Sequence, residues 1–433
     1  MALNYRSLPD GVIAKARLLI ADLLLAAAAG ERDATSRALI AAMPIASGSS
    51  RVWFAESRRS CSAADATFVN TLNAATLDFD SLNGSVHADL VTLPAAWAMA
   101  EQLGRSPREL TLAYVVAAEL VSRLARCASG AAKGWSGTSI YGGIGAALAC
   151  GLLLKLDRHQ LGHALGLAAA QASGTQQANI ELTLAKRLQP AFAARAGAVA
   201  ASLAQAGATA PSQALEGRFG LRVLYQPGDD APLLDGWGRQ WQLLDTAIKR
   251  FPVCACSHAA IQAMLDLLRQ TPCAPGDVLE VVAGISPFMN RLVGGEFRPG
   301  ADVQVLAQFN LRYHLACALV RGDVSLRDLA PTAVHDPAIA ALIPRIRLQV
   351  DAGNLHELAP ATVCLILRDG RRLSATCQAL PGSPEAPLSE ARWQAKLADC
   401  ASAANPDAAQ ALPAVLAKVA GFCQLNVLHS IWE

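Results

Sequence analysis

Ten consecutive residues, from Asp78 to His87, hold two carboxylates and an imidazole: Asp78, Asp80 and His87. Acid and base groups this close together suit proton transfer at carbon and oxygen, and a carboxylate beside a histidine sets its tautomer. The surroundings are apolar and rich in alanine, and only 17% of all residues are charged, so the cluster stands out. The plain alternative is an N-cap and a surface loop.

Three further segments carry ionisable or ligand-holding groups. The run Lys133-Gly134-Trp135-Ser136-Gly137-Thr138, continuing through Gly142, Gly143 and Gly145, leads into a helix. Backbone N–H groups at such a start suit a phosphate or carboxylate, with Ser136 and Thr138 as hydroxyl ligands. It lacks the GK[ST] ending of a phosphate-binding loop and follows no strand, so it is no dinucleotide fingerprint. Close helix packing over the glycines is the competing reading. Lys186 opens a long apolar helix, a place where an ammonium is disfavoured unless an anion shares it. Lys249, Arg250, Cys254 and His258 mark a strand-to-helix junction with two cations, a thiol and an imidazole, suited to an anion and to acid–base work. The alternative for each lysine is a solvated end. His159 and His163 have metal-ligand spacing, but no HExxH motif or third ligand accompanies them, so they read as surface and packing residues, as do His335, His356 and His429.

The elements that must position these groups follow from composition and period. The chain has 433 residues, 53% of them apolar, and a net charge of +2 without a basic block. It can bury large cores, and nothing suggests a nucleic-acid groove or an anionic membrane surface. Eleven scattered cysteines, with Cys254 and Cys256 the only close pair, fit free thiols in a reducing cytosol. Val12 to Gly30 is interrupted by Lys15, Arg17 and Asp22, so it predicts a soluble helix and not a membrane span. No targeting signal is evident, and a cytoplasmic location is expected.

Apolar residues at three- and four-residue spacing predict helices over Val12–Ala28, Asp65–Thr76, His87–Leu103, Pro107–Cys127, Ile140–Leu154, Arg158–Ala170 and Ala185–Gln205. Ser106 and Asp157 are candidate N-caps. Beyond Trp241 the pattern changes. Strands are expected at Thr246–Phe251, Val278–Ile285 and Ile346–Val350, and a hairpin over Ala361–Leu367 and Arg371–Gln378 about Asp369-Gly370. Helices are expected at Ala259–Leu268 and Val303–Val320, then at Glu390–Ala401 and Ala408–Leu428. The fold class is therefore mainly α: a large all-helical domain over residues 1–245 and 388–433, discontinuous and completed by the C-terminus, plus a smaller α+β domain over 246–387.

In this order the segments resemble the MmgE/PrpD family, which includes 2-methylcitrate dehydratase, cis-aconitate decarboxylase and iminodisuccinate epimerase. The carrying stretches are Leu77-Asp78-Phe79-Asp80 with His87, Gly134-Trp135 and its glycines, and Gln171-Ala172-Ser173-Gly174. Lys186-Arg187-Leu188 with Ala194-Arg195-Ala196-Gly197, Lys249 to Cys254 with His258, and Gln308 to Tyr313 complete the set. The resemblance implies a site between two domains, a homodimer, and no metal or organic cofactor. It implies that Asp78, His87, Lys186, Lys249 and His258 are the active-site acid, histidines and lysines.

This chain also departs from the family pattern. Ser136-Gly137 stand where His-Pro is frequent, Gln189 lies where a histidine is frequent, and Cys254 replaces a further histidine of the decarboxylases. Tyr141, just inside the glycine-rich turn, is a replacement acid/base group. The expectation is a lyase that dehydrates a small hydroxy di- or tricarboxylate such as 2-methylcitrate. Lysines and the helix start would hold carboxylates, and His87, oriented by Asp78, or His258 would act as base. The alternatives are an epimerase or isomerase of a dicarboxylate and a weakened paralogue that only binds a carboxylate.

Overall fold

The structure is a computed structural model that describes residues 4–55, 59–128, 134–225, 228–229, 231–300 and 303–432. Its longer helices are numbered here in chain order. Seven form the first part: α1 (Asp10–Glu31), α2 (Ala63–Ala75), α3 (Ala88–Leu103), α4 (Pro107–Arg126), α5 (Gly137–Leu153), α6 (Arg158–Ala169) and α7 (Ala185–Gln205). The starts are chemically specified. Ser106 and Asp157 each accept from backbone N–H groups of the first turn, with Glu109 and Gln160 closing capping boxes. α1 is the segment that raised the membrane question. It buries nearly every residue from Leu19 to Glu31 inside the bundle, and among the described residues no helix is long and apolar enough to cross a membrane.

α5 packs on α3, α4 and α7, and its glycines make that closeness feasible. A Cβ on Gly145 would lie 2.3 Å from a Val121 methyl, and one on Gly197 would lie 2.2 Å from the Gly143 carbonyl oxygen. The packing reading of the glycine-rich run therefore holds for its helical portion, while Lys133 lies outside the described residues.

The second part centres on four strands in the order β2-β1-β3-β4: β1 (Val278–Ile285), β2 (Ile346–Val350), β3 (Ala361–Leu367) and β4 (Arg372–Cys377). β1 runs parallel to β2 with Val281 beside Ile346, and antiparallel to β3 with Val281 beside Leu365. The β3–β4 hairpin turns at Asp369-Gly370, where Gly370 takes φ +88°. β3 alternates buried and half-buried residues, and its inner face packs on α8 (His258–Gln270).

Two expectations about this region are corrected. Thr246–Phe251 is not a strand: only Ala247 makes a bridge, to Leu82, and the chain then passes irregularly into a short 3₁₀ turn at Ala255–Ser257. Val303–Val320 is two helices, Val303–Gln308 and α9 (Leu311–Arg321), because Asn310 adopts extended backbone and caps α9 through the Tyr313 N–H. After the sheet, α10 (Glu390–Ala403) and α11 (Pro406–Ala420) return to pack on α1. Asn405 fastens this return by donating to Glu31 Oε2 and the Phe54 carbonyl, both at 2.8 Å.

Candidate active site between the helices and the sheet

Asp78 follows α2 with φ +51°, a left-handed conformation that aspartate tolerates better than most residues. This turn aims its carboxylate at two ammonium groups. Lys249 Nζ donates to Asp78 Oδ2 at 2.9 Å and to the Asp78 carbonyl at 2.8 Å. Lys186, one residue into α7, pairs with Oδ1. Asp78 and Lys249 are buried, whereas the Lys186 side chain keeps a fifth of its surface open and lies over the Phe309 ring. Burial pushes the Asp78 carboxyl up, but the two lysines and His87 outweigh it and hold the group well below the usual carboxylate range. Burial lowers the Lys249 ammonium, yet Asp78 and Asp80 outweigh it and set it above its ordinary value. Two ammoniums share one carboxylate, so the cluster keeps one net positive charge.

His87 is held by Asp80 and not by Asp78, which corrects the expected partner. Its Nδ1 lies 2.6 Å from Asp80 Oδ2 and 3.0 Å from the Ser81 carbonyl. Both partners are acceptors, so Nδ1 carries a proton and Nε2 is the nitrogen that takes no part in this pairing. Burial raises the Asp80 carboxyl, but His87 and the lysines bring it below its ordinary value. The His87 backbone N–H donates to Thr138 Oγ1 at 3.0 Å, which ties the start of α3 to the start of α5. Ser81 donates to Asp89 at 2.6 Å, so the loop between the acids is braced from within.

These groups line one cleft of about 780 Å³, mouth included. The helical part contributes Asp78, His87, Ser136, Thr138 and Lys186, and the second part contributes Lys249, Cys254, Cys256 and Phe309. Gln176, Asn179 and Gln189 also line it. Sequence reasoning gave the first two no role, although the polar run from Gln171 to Asn179 in an alanine-rich region was a usable signal. Gln189, flagged only as a missing histidine, donates through Nε2 to the Thr175 carbonyl at 3.2 Å.

The structure does not bring Tyr141, His258 or Arg250 to the cleft. Tyr141 is buried among the helices near Arg222 and Cys127, and burial drives its hydroxyl up to about 12. His258 opens α8 with its ring fully buried, Nε2 donating to the Val253 carbonyl at 3.2 Å. Burial, reinforced by Lys249, lowers this imidazole to about 3, so it is neutral and braces the loop. Arg250 fails for a geometric reason. Lys249 lines the cleft, whereas the backbone bends at Arg250 and carries that side chain elsewhere. Arg250 pairs with Gln262, lies over the Phe251 ring, and lines a separate cavity with Arg327 and Arg392.

A helical bundle and a second part built on a small mixed sheet, whose loops and short helices close one side of a cleft holding two lysines, define the architectural class. Residues 1–233 match the MmgE/PrpD N-terminal domain and residues 251–419 match the MmgE/PrpD C-terminal domain. The chain belongs to the MmgE/PrpD family. It is 26% identical over 341 residues to human cis-aconitate decarboxylase, which covers 75% of this chain and 70% of the relative. It is 28% identical over 338 residues to cis-aconitate decarboxylase of Aspergillus terreus, with 72% and 68% covered. A cis-aconitate decarboxylase-like protein, oryM, of Aspergillus oryzae is 28% identical over 297 residues, with 63% and 61% covered. Decarboxylases are lyases, so these relatives support the expected enzyme class at that level, without specifying dehydration.

Proposed function

We propose that the protein is a cofactor-independent lyase that dehydrates a small hydroxy di- or tricarboxylate of the 2-methylcitrate kind. One observation carries the reading: the aspartate-backed imidazole of His87 shares a cleft with the net-positive Lys186–Asp78–Lys249 cluster. A substrate carboxylate sits against the lysines and the N–H groups that start α5. His87 Nε2 takes the proton from the carbon beside that carboxylate. The charge that develops on the carboxylate is stabilised by the ammonium groups, which are already in place. The electron pair then expels the hydroxyl on the neighbouring carbon.

A second reading, decarboxylation of an unsaturated tricarboxylate, is favoured by the names of the relatives. Loss of CO2 leaves the same kind of carbanion, and His87 then serves as proton donor. NMR of the protein with 2-methylcitrate, citrate and cis-aconitate in heavy water separates these outcomes. Dehydration gives a new vinyl or allyl system, and decarboxylation gives a product one carbon shorter. Deuterium uptake without net conversion indicates an epimerase. A gain in thermal stability with neither change indicates a carboxylate-binding paralogue. The lyase reading is overturned if none of the three acids loses water or CO2.

A further inference from the structure

Dehydration asks for two proton-handling groups, one at the carbon and one at the departing oxygen. Among the described residues that line the cleft, His87 is the only imidazole, and the second groups expected from sequence, His258 and Tyr141, lie elsewhere. Asp78, Lys186 and Lys249 are committed to one another. Among the described residues, the remaining ionisable side chains of the cleft are the thiols of Cys254 and Cys256, which come from the opposite part of the molecule to His87.

Cys254 is held in place with some care. It lies five residues beyond Lys249, and its backbone N–H donates to the Gln308 carbonyl at 2.9 Å. The Cys256 thiol, which donates to the Glu357 carbonyl at 3.8 Å, lies close to the Cys254 sulfur, and Lys249 is close enough to act on it electrostatically. The neighbouring Cys256, aided by Lys249, outweighs burial and the Asp78 charge and brings the Cys254 thiol below its ordinary value. Such a thiol can give up a proton and hold the resulting charge.

Resting on the dehydratase reading, we propose that Cys254 is the second acid/base catalyst, facing His87 across the substrate. His87 Nε2 removes the carbon-bound proton. The released electron pair forms the carbon–carbon double bond as the neighbouring C–O bond breaks. Cys254 S–H gives its proton to the departing oxygen, which leaves as water. The Cys254 thiolate is stabilised by Lys249 and Cys256 until the His87 imidazolium returns a proton through solvent, restoring both groups.

The test is NMR in heavy water on 2-methylcitrate, with wild type, Cys254→Ala and the volume-conserving Cys254→Ser. Both variants are expected to lose about a hundredfold or more in kcat with little change in KM. They keep deuterium exchange at the carbon, because His87 still removes that proton. Alkylation of Cys254 by iodoacetamide is expected to be blocked by 2-methylcitrate, with its pH midpoint moving up in Lys249→Met. If either folded variant dehydrates at the wild-type rate, or if neither substrate nor Lys249→Met alters alkylation, the assignment is overturned while the dehydratase reading stands. A wild-type protein inert toward the hydroxy acids overturns both.

Discussion

Lys396, on a helix near the end of the chain, donates 2.8 Å to the backbone carbonyl of Phe79, the residue between the two acids of the site. The same ammonium reaches the Lys249 carbonyl at 3.1 Å and pairs with Asp22 of α1 at 2.5 Å. One buried cation thus joins α1, the Asp78 turn, the Lys249 loop and α10. Nothing around position 396 in the sequence marks this role.

Lys396→Met therefore removes three attachments and leaves Asp22, fully buried, without its partner. The expected cost is about 3–5 kcal/mol of stability. Denaturant unfolding measures it, and adding Asp22→Asn should return part of the loss. A single variant as stable as wild type would show that the clamp contributes little.

Asp80→Asn keeps the shape of the loop but removes the charge that fixes and stabilises the His87 ring. Turnover is expected to fall by about 10²–10⁴ with the melting temperature nearly unchanged. Steady-state kinetics across pH checks it. A variant within a few-fold of wild type, with the same pH profile, would remove His87 and Asp80 from the chemistry.

Lys186→Met leaves Asp78 paired with Lys249, so the fold should survive. The proposed carboxylate subsite loses its exposed charge-assisted donor, worth about 1.5–3 kcal/mol. Binding of a tricarboxylate should weaken by about ten- to a hundredfold. Isothermal calorimetry with 2-methylcitrate measures this, and unchanged affinity would place the carboxylate elsewhere.

Stability should fall as the medium is acidified, and two buried imidazoles account for part of it. Burial lowers His258 to about 3 and His314 to about 4, both below the ordinary 6.5. The unfolded chain therefore takes up these protons first. The contribution is complete above about pH 6.5 and is lost as pH falls toward those values, at up to ~1.4 kcal/mol per pH unit for each ring. Asp22, raised to about 6 by burial against the pull of Lys396, works in the opposite sense below that pH. The slope is thus read by difference: His258→Asn and His314→Asn should each flatten unfolding free energy against pH between about 6 and 4.

Gly197→Ala tests the packing of α7 on α5. The added methyl would meet the Gly143 carbonyl oxygen at 2.2 Å and the Ala146 Cβ at 2.6 Å. Helix backbone cannot yield as a flexible side chain does, so a loss of about 1–3 kcal/mol is expected. Thermal unfolding would show it, and an unchanged midpoint would mean that the helices separate freely.

Local chemistry was legible in the sequence wherever a short segment decides its own state. Helix period and caps placed α4 and α6 from Ser106 and Asp157, and Asp369-Gly370 placed the hairpin. The ordered motifs gave the family and put Asp78, His87, Lys186 and Lys249 together, as the cleft then does. Tertiary structure alone decided which way each group points and what it meets. An irregular segment has no period from which a face can be read, so the direction of Arg250 and His258 depended on how the Lys249 loop packs. The choice of Asp80 over Asp78 as partner of His87 came from the left-handed turn at Asp78, which two lysines distant in sequence occupy. Lys396 shows the same limit most plainly: its partners come from α1, the Asp78 turn and the Lys249 loop, and only the folded chain brings them to one ammonium.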